Sequence, residues 1–185
     1  MMRKPAARDA AAIQIRKMTY AAMFLAIAMA LPLITGQVPE IGKMLCPMHI
    51  PALLCGFMCG WPWGLAVGLI APPLRSVLFG MPVMFPTAVA MAFELATYGT
   101  VSGMLYRILP RKKWSVYVTL VTAMIIGRAV WGLAQAVIAG LTHSEFTMAA
   151  FLAGAVTKAV PGIVMHIVLI PVLVIVMERE GLVSD

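Results

Sequence analysis

Residues 84–107 read MFPTAVAMAFELATYGTVSGMLYR. A helix crosses the hydrocarbon of a bilayer with about 20 mostly apolar residues, and this run is long enough. Yet Glu94 stands near its middle. A carboxylate at that depth costs roughly 2.5–3.5 kcal/mol on insertion scales, so it must face protein or a cavity and find a partner. At helical spacing Thr87, Glu94, Tyr98 and, on the flank, Ser102 share one side, while Ala88, Ala92, Ala96, Gly99 and Gly103 share the other. The first side offers polar groups; the second lets a neighbouring helix come close. The rest of the chain has to be built around this segment.

Composition agrees. The 185 residues are 62% hydrophobic and 11% charged, against about 45–50% and ~25% in soluble domains. The expected fold class is all-α, a small polytopic membrane protein with one helix bundle and no room for a separate soluble catalytic domain. The net charge of +7 is read by position. Arg3, Lys4, Arg8, Arg16 and Lys17 precede the first apolar run, Arg107, Arg111, Lys112 and Lys113 fill one connection, and Arg179 follows the last run; Lys43 alone lies in a loop expected on the other side. This asymmetry places both termini in the cytoplasm and assigns the basic tail to anionic lipid rather than nucleic acid. The basic tail, apolar core and Ala28-Met29-Ala30 imitate a cleavable signal peptide, but the run is long and further spans follow, so a retained helix is expected.

Six spans are expected, at about 14–35, 48–60, 65–79, 84–107, 114–141 and 147–177. The division is a cytoplasmic N-terminal segment (1–13), a transmembrane domain (14–177) and a cytoplasmic tail (178–185). The second span is short enough to suggest a re-entrant segment; parity between the two basic stretches requires it to cross. Gly36 to Pro47 forms an irregular outer loop, Trp61-Pro62-Trp63-Gly64 a tight inner turn, and Pro72-Pro73 a break or kink in the third span. Ala22, Ala26 and Ala30 make a small-residue ridge on the first. Two readings fit it: packing inside the bundle, or docking of a separate membrane subunit.

Within the membrane Arg75, Arg128 and Lys158 face one acid, Glu94. Buried charges need partners, so the excess predicts a pocket for a small organic anion, held by arginine's two-toothed fork. Tyr98, Trp131, Gln135, His49 and Phe151 are candidate walls and hydrogen-bonding groups. Plainer readings stand beside this: Arg75 snorkels outward, Glu94 forms a bundle-locking ion pair with Arg128 or Lys158, and His49 and His166 are ordinary interior histidines. Cys46, His49, Cys55 and Cys59 lack the paired spacing of a zinc site, and cysteine inside an apolar helix behaves as a small hydrophobe. No metal and no cofactor are expected. GxSxG, HExxH and phosphate-loop motifs do not occur, and Ser102 with His166 shows no sign of an oxyanion site, so no catalytic residue is expected.

Six short spans, the Ala22/Ala26/Ala30 ridge, the long first outer loop and Phe93-Glu94-Leu95-x2-Tyr98-Gly99 with Gly103 and Tyr106 resemble the energy-coupling factor (ECF) transporter S components. The resemblance implies a substrate-binding membrane subunit for a vitamin or related micronutrient, working with a transmembrane coupling subunit and two cytoplasmic ATPases. It implies that Ala22, Ala26 and Ala30 contact the coupling subunit, that the first outer loop and spans 4 to 6 surround the substrate, and that the subunit topples to release it inward. The charge argument ranks a carboxylate first, pantothenate before lipoate-like acids, with a neutral queuosine precursor as a further candidate. A stand-alone secondary transporter or channel, and an intramembrane enzyme or scaffold, are the alternatives.

Overall fold

The computed structural model describes residues 7–34, 46–110, 112–143, 147–154 and 159–182. Every regular element among them is helical: α1 (Ala7–Ile34), α2 (His49–Cys59), α3 (Trp61–Phe79), a π-helical turn (Met84–Ala88) leading into α4 (Val89–Ile108), α5 (Lys113–Thr142), the short α6 (Met148–Leu152) and α7 (Val160–Arg179). Five stretches are long and apolar enough to cross a bilayer: Ala11–Leu33, Trp61–Phe79, Met84–Ile108, Lys113–Thr142 and Val160–Arg179. With α2 they make a six-helix membrane bundle.

Helix α2 explains its own shortness. Its 11 residues rise only about 16 Å, well under the ~30 Å hydrocarbon core. All eleven are buried, enclosed by α1, α3, α4 and α7. A helix that meets protein on every side has no lipid thickness to match.

The other helices face outward with apolar side chains, among them Val77, Ile108, Ile125, Leu133 and Leu141. In water that surface would be a liability; in lipid it is the normal solvent contact.

Helix α4 is central. Its small face meets α3 in a close crossing: a Cβ on Gly64 would lie 2.5 Å from the carbonyl oxygen of Gly99, and one on Gly68 or Gly103 would collide with the backbone of Leu95 or Trp61. The sequence spacing Gly64-x3-Gly68 against Gly99-x3-Gly103 thus brings two backbones together, which is how helices gain van der Waals contact where hydrophobicity drives nothing. The polar face of α4 is buried as well, with Glu94, Tyr98 and Ser102 each at most 1% exposed.

Several boundaries differ from expectation. The first helix already includes residues 7–13 of the expected N-terminal segment, where an interfacial helix is one reading. The turn expected over Trp61–Gly64 is made by Gly60 alone, at φ 91°, a conformation that suits glycine. Trp61-Pro62 already forms the first turn of α3, where proline gives up no hydrogen bond. Helix α3 then runs unbroken through Pro72-Pro73, which neighbouring helices allow in a membrane-spanning segment. Of the sixth span the described residues give α6 to Leu152 and α7 from Val160, with Pro161 in its first turn, a residue that disfavours helix immediately before it. Most of the first outer loop lies outside the described residues.

Candidate functional site

Glu94 lies in the second turn of α4, and three side chains converge on its Oε1 atom. Tyr98, one turn along the same helix, donates its hydroxyl at 2.9 Å. Arg128 Nη1, from the middle of α5, is 3.2 Å away. His49 Nε2, at the start of α2, is 3.4 Å away. The carboxylate therefore gathers groups from three helices, and its exclusion from lipid is complete at 1% exposure.

The cluster continues beyond the acid. The His49 ring packs against Tyr98 at 5.3 Å between centroids and faces His166 of α7 at 6.0 Å. Arg128 Nη2 reaches the Cys46 sulfur at 3.8 Å. Tyr98 fits because α5 carries Gly127 opposite it, where a Cβ would run into the phenol ring. Ser102, a turn further along α4, bonds the Leu53 and Gly99 carbonyls and so belongs to the packing of α4 on α2 rather than to the cluster.

What makes this more than an internal ion pair is what it leaves unused. Among the described residues, Nδ1 of His49, Nε2 of His166 and Nε of Arg128 complete no hydrogen bond although they are buried. Buried polar atoms are nearly always paired, and each exception calls for a reason. Three such atoms, on side chains gathered about Glu94, are spare donors and acceptors.

The expected residues fall into three groups. His49, Glu94, Tyr98 and Arg128 come together. Trp131 and Phe151 meet as a stacked pair, 6.2 Å apart and 26° from parallel, with Gly132 under the Phe151 ring and Gly154 under Trp131. Gln135 lies half-buried one turn beyond Trp131 on α5.

Arg75 is elsewhere. Its Nη1 donates to the Met29 carbonyl of α1 at 2.5 Å and its guanidinium lies 4.9 Å from the centre of the Phe79 ring. This corrects the expectation of three cations around one hollow. In α1, Pro32 removes a ladder donor near that carbonyl, and Arg75 is satisfied there by a carbonyl and an aromatic face. It neither snorkels outward nor reaches Glu94. Lys158 lies outside the described residues.

Two members of the cluster were not among the expected walls, His166 and Cys46. His166 carried a signal: a histidine within an apolar span is rare enough to mark an interior polar site. Cys46 carried none, since its contact depends on how the loop before α2 returns to α5.

Ala22, Ala26 and Ala30 are all exposed, on the side of α1 opposite the buried Ala21, Phe24 and Ala28. Among the described residues the ridge is thus not used for packing inside the bundle.

An apolar six-helix bundle that encloses a polar cluster defines a polytopic membrane protein. The family model described as "ECF transporter, substrate-specific component" matches residues 16–174, and the chain belongs to that family. It is the substrate-specific membrane subunit of a transporter that assembles with an ECF module; the family is one of transport subunits, not of enzymes. No curated protein and no solved structure matches the chain.

Proposed function

We propose that the protein captures a micronutrient outside the cell and releases it inward by toppling on the coupling subunit of an ECF importer driven by two cytoplasmic ATPases. Both termini lie in the cytoplasm, with the basic end that carries Arg16, Lys17, Arg107 and Lys112. The observation that carries the reading is the set of unpaired buried atoms of His49, His166 and Arg128 around Glu94. A merely structural ion pair would not surround itself with orphaned donors and acceptors, because each costs free energy until something fills it.

The substrate is a small carboxylate, with pantothenate the first compound to test. Arg128 supports this: Nη1 pairs with Glu94 and Nη2 reaches Cys46, while the buried Nε completes no hydrogen bond, and guanidinium suits a carboxylate. Binding of acids and their amides to the purified protein is the direct test. An acid binds more tightly than its amide; equal affinities would remove the carboxylate.

The exposed ridge on α1 supports docking of the coupling subunit. Small residues let another helix approach within van der Waals contact, and Ala22, Ala26 and Ala30 are exposed, with no such neighbour among the described residues. Ala26→Trp is expected to abolish co-purification of the coupling subunit and ATPases from native membranes while leaving substrate affinity of the isolated subunit unchanged. Full recovery of the complex with that variant would move the docking face elsewhere.

A further inference from the structure

The basic end of the bundle holds a second charged site, about 20 Å along α4 from Glu94. Lys17 lies on the inward face of α1, in line with the buried Ala21, Phe24 and Ala28, and is only 8% exposed. Arg107, in the last turn of α4, lays its guanidinium across Gly60: a Cβ there would stand 2.6 Å from Nη2. Lys17 lies within electrostatic reach of Arg107 and of Cys59, the residue before Gly60. The two cations thus meet at one point of the backbone, the turn that joins α2 to α3.

That turn is also the N-terminus of α3. Gly60 is its N-cap and has no side chain to offer, and no acid stands in the first turn. The first N–H groups of a helix have no partner inside it, and together they act as about half a positive charge. Such ends bind anions. Here two full positive charges join the helix end, and neither Lys17 nor Arg107 makes a hydrogen bond or ion pair among the described residues. Glu178 of α7, which reaches this end of α4, accepts from the Tyr106 hydroxyl instead. A lysine withdrawn this far beside an arginine needs a counter-charge, and the described residues supply none.

We propose that Lys17, Arg107 and the N-terminus of α3 bind the phosphodiester of an anionic phospholipid. The neighbouring surface argues for a lipid over a free phosphate or an acidic side chain of another subunit. Trp61, Leu65 and Leu69 follow one another along a single face of α3, and all three are exposed. Trp61 stands in the first turn, at the level of the cations, where tryptophan marks the headgroup region. Leu65 and Leu69 carry the apolar face on for about 12 Å, a track for acyl chains. Basic pockets between helices on the cytoplasmic side take anionic headgroups, and this is the end assigned to the cytoplasm above. Lys17 points away from the Ala22/Ala26/Ala30 ridge, so lipid and coupling subunit use opposite sides of α1.

The test uses the full-length protein in detergent with phosphatidylglycerol, phosphatidylcholine or inorganic phosphate added. Native mass spectrometry reads bound lipid, and thermal unfolding reads stability. Phosphatidylglycerol is expected to bind in preference to phosphatidylcholine and to raise the Tm. Lys17→Met, which keeps the buried stem and removes the charge, and Arg107→Gln are each expected to weaken phosphatidylglycerol about fivefold, and together about 25-fold, at the usual contribution of one basic residue to an anionic headgroup. Lys113→Gln, at an exposed position outside the site, is expected to leave binding unchanged. Without lipid the Tm of Lys17→Met is expected to hold or rise, since a like-charge contact is relieved. Phosphatidylglycerol binding that survives the double variant, or that falls as far in Lys113→Gln, would overturn the proposal. Inorganic phosphate that raises the Tm as much as phosphatidylglycerol does would assign the site to a free anion and overturn the lipid. Loss of the coupling subunit and ATPases from preparations of Lys17→Met/Arg107→Gln, with phosphatidylglycerol binding intact, would give the cations to an acid of that subunit and overturn it as well.

Discussion

Arg128→Leu is expected to destabilise the protein by about 3–5 kcal/mol, the range for stranding one member of a buried ion pair, and to abolish high-affinity substrate binding. The variant leaves Glu94 at 1% exposure with the Tyr98 hydroxyl as its hydrogen-bond donor and no guanidinium. Glu94→Gln/Arg128→Leu is expected to recover most of the stability, because the amide still accepts from Tyr98 and no charge is left stranded. It is not expected to recover binding, since the receptor has lost both ionic groups. Denaturant or thermal unfolding in detergent separates the two effects. A double variant no more stable than Arg128→Leu would mean that the pair contributes nothing as a pair, and that Arg128 acts through its packing alone.

The second large effect is expected at the α3–α4 crossing. Gly99→Leu places a branched side chain where even a Cβ meets the backbone of Gly64. Backbone cannot swing aside as a side chain can, so the helices must separate. Overpacking costs typically 1–3 kcal/mol where side chains can shift; here about 3 kcal/mol or more is expected. Glu94 and Tyr98 lie on the same helix, so substrate binding falls too. Gly140→Leu is the control: a Cβ there meets nothing within 4 Å, and the change should be neutral or slightly stabilising, as glycine is a poor helix former. If Gly99→Leu were also neutral, the close approach would not be what holds α4 in place.

These two sites differ in how far the sequence announced them. The small face of α4 is a matter of spacing within one helix, so Gly99 and Gly103 were legible at once, and the partner pattern Gly64-x3-Gly68 completes them. Glu94 was legible because lipid makes any carboxylate conspicuous. Which cation meets it was not. Arg75 and Arg128 are equally conspicuous in a hydropathy reading, and only tertiary packing shows that Arg75 turns to the Met29 carbonyl while Arg128 turns to the acid. The prolines mislead for a related reason. Pro72-Pro73 is a breaker by local rule, and α3 remains helical because its neighbours leave it no alternative. Pro161 stands in the first turn of α7, where proline gives up no hydrogen bond. The alanine ridge was visible as a pattern, but spacing cannot say whether a face points in or out; exposure of Ala22, Ala26 and Ala30 settles that one point.

The enclosure of α2 has a mechanical consequence. Bilayer thickness varies between membranes and with lipid composition, and spanning helices answer hydrophobic mismatch by tilting or by deforming the lipid around them. Helix α2 touches protein along its whole length, so that stress reaches it only through its neighbours. The height of His49 relative to Glu94, on which the shape of the receptor depends, is therefore fixed by helix contacts and insulated from the lipid in which the protein happens to sit.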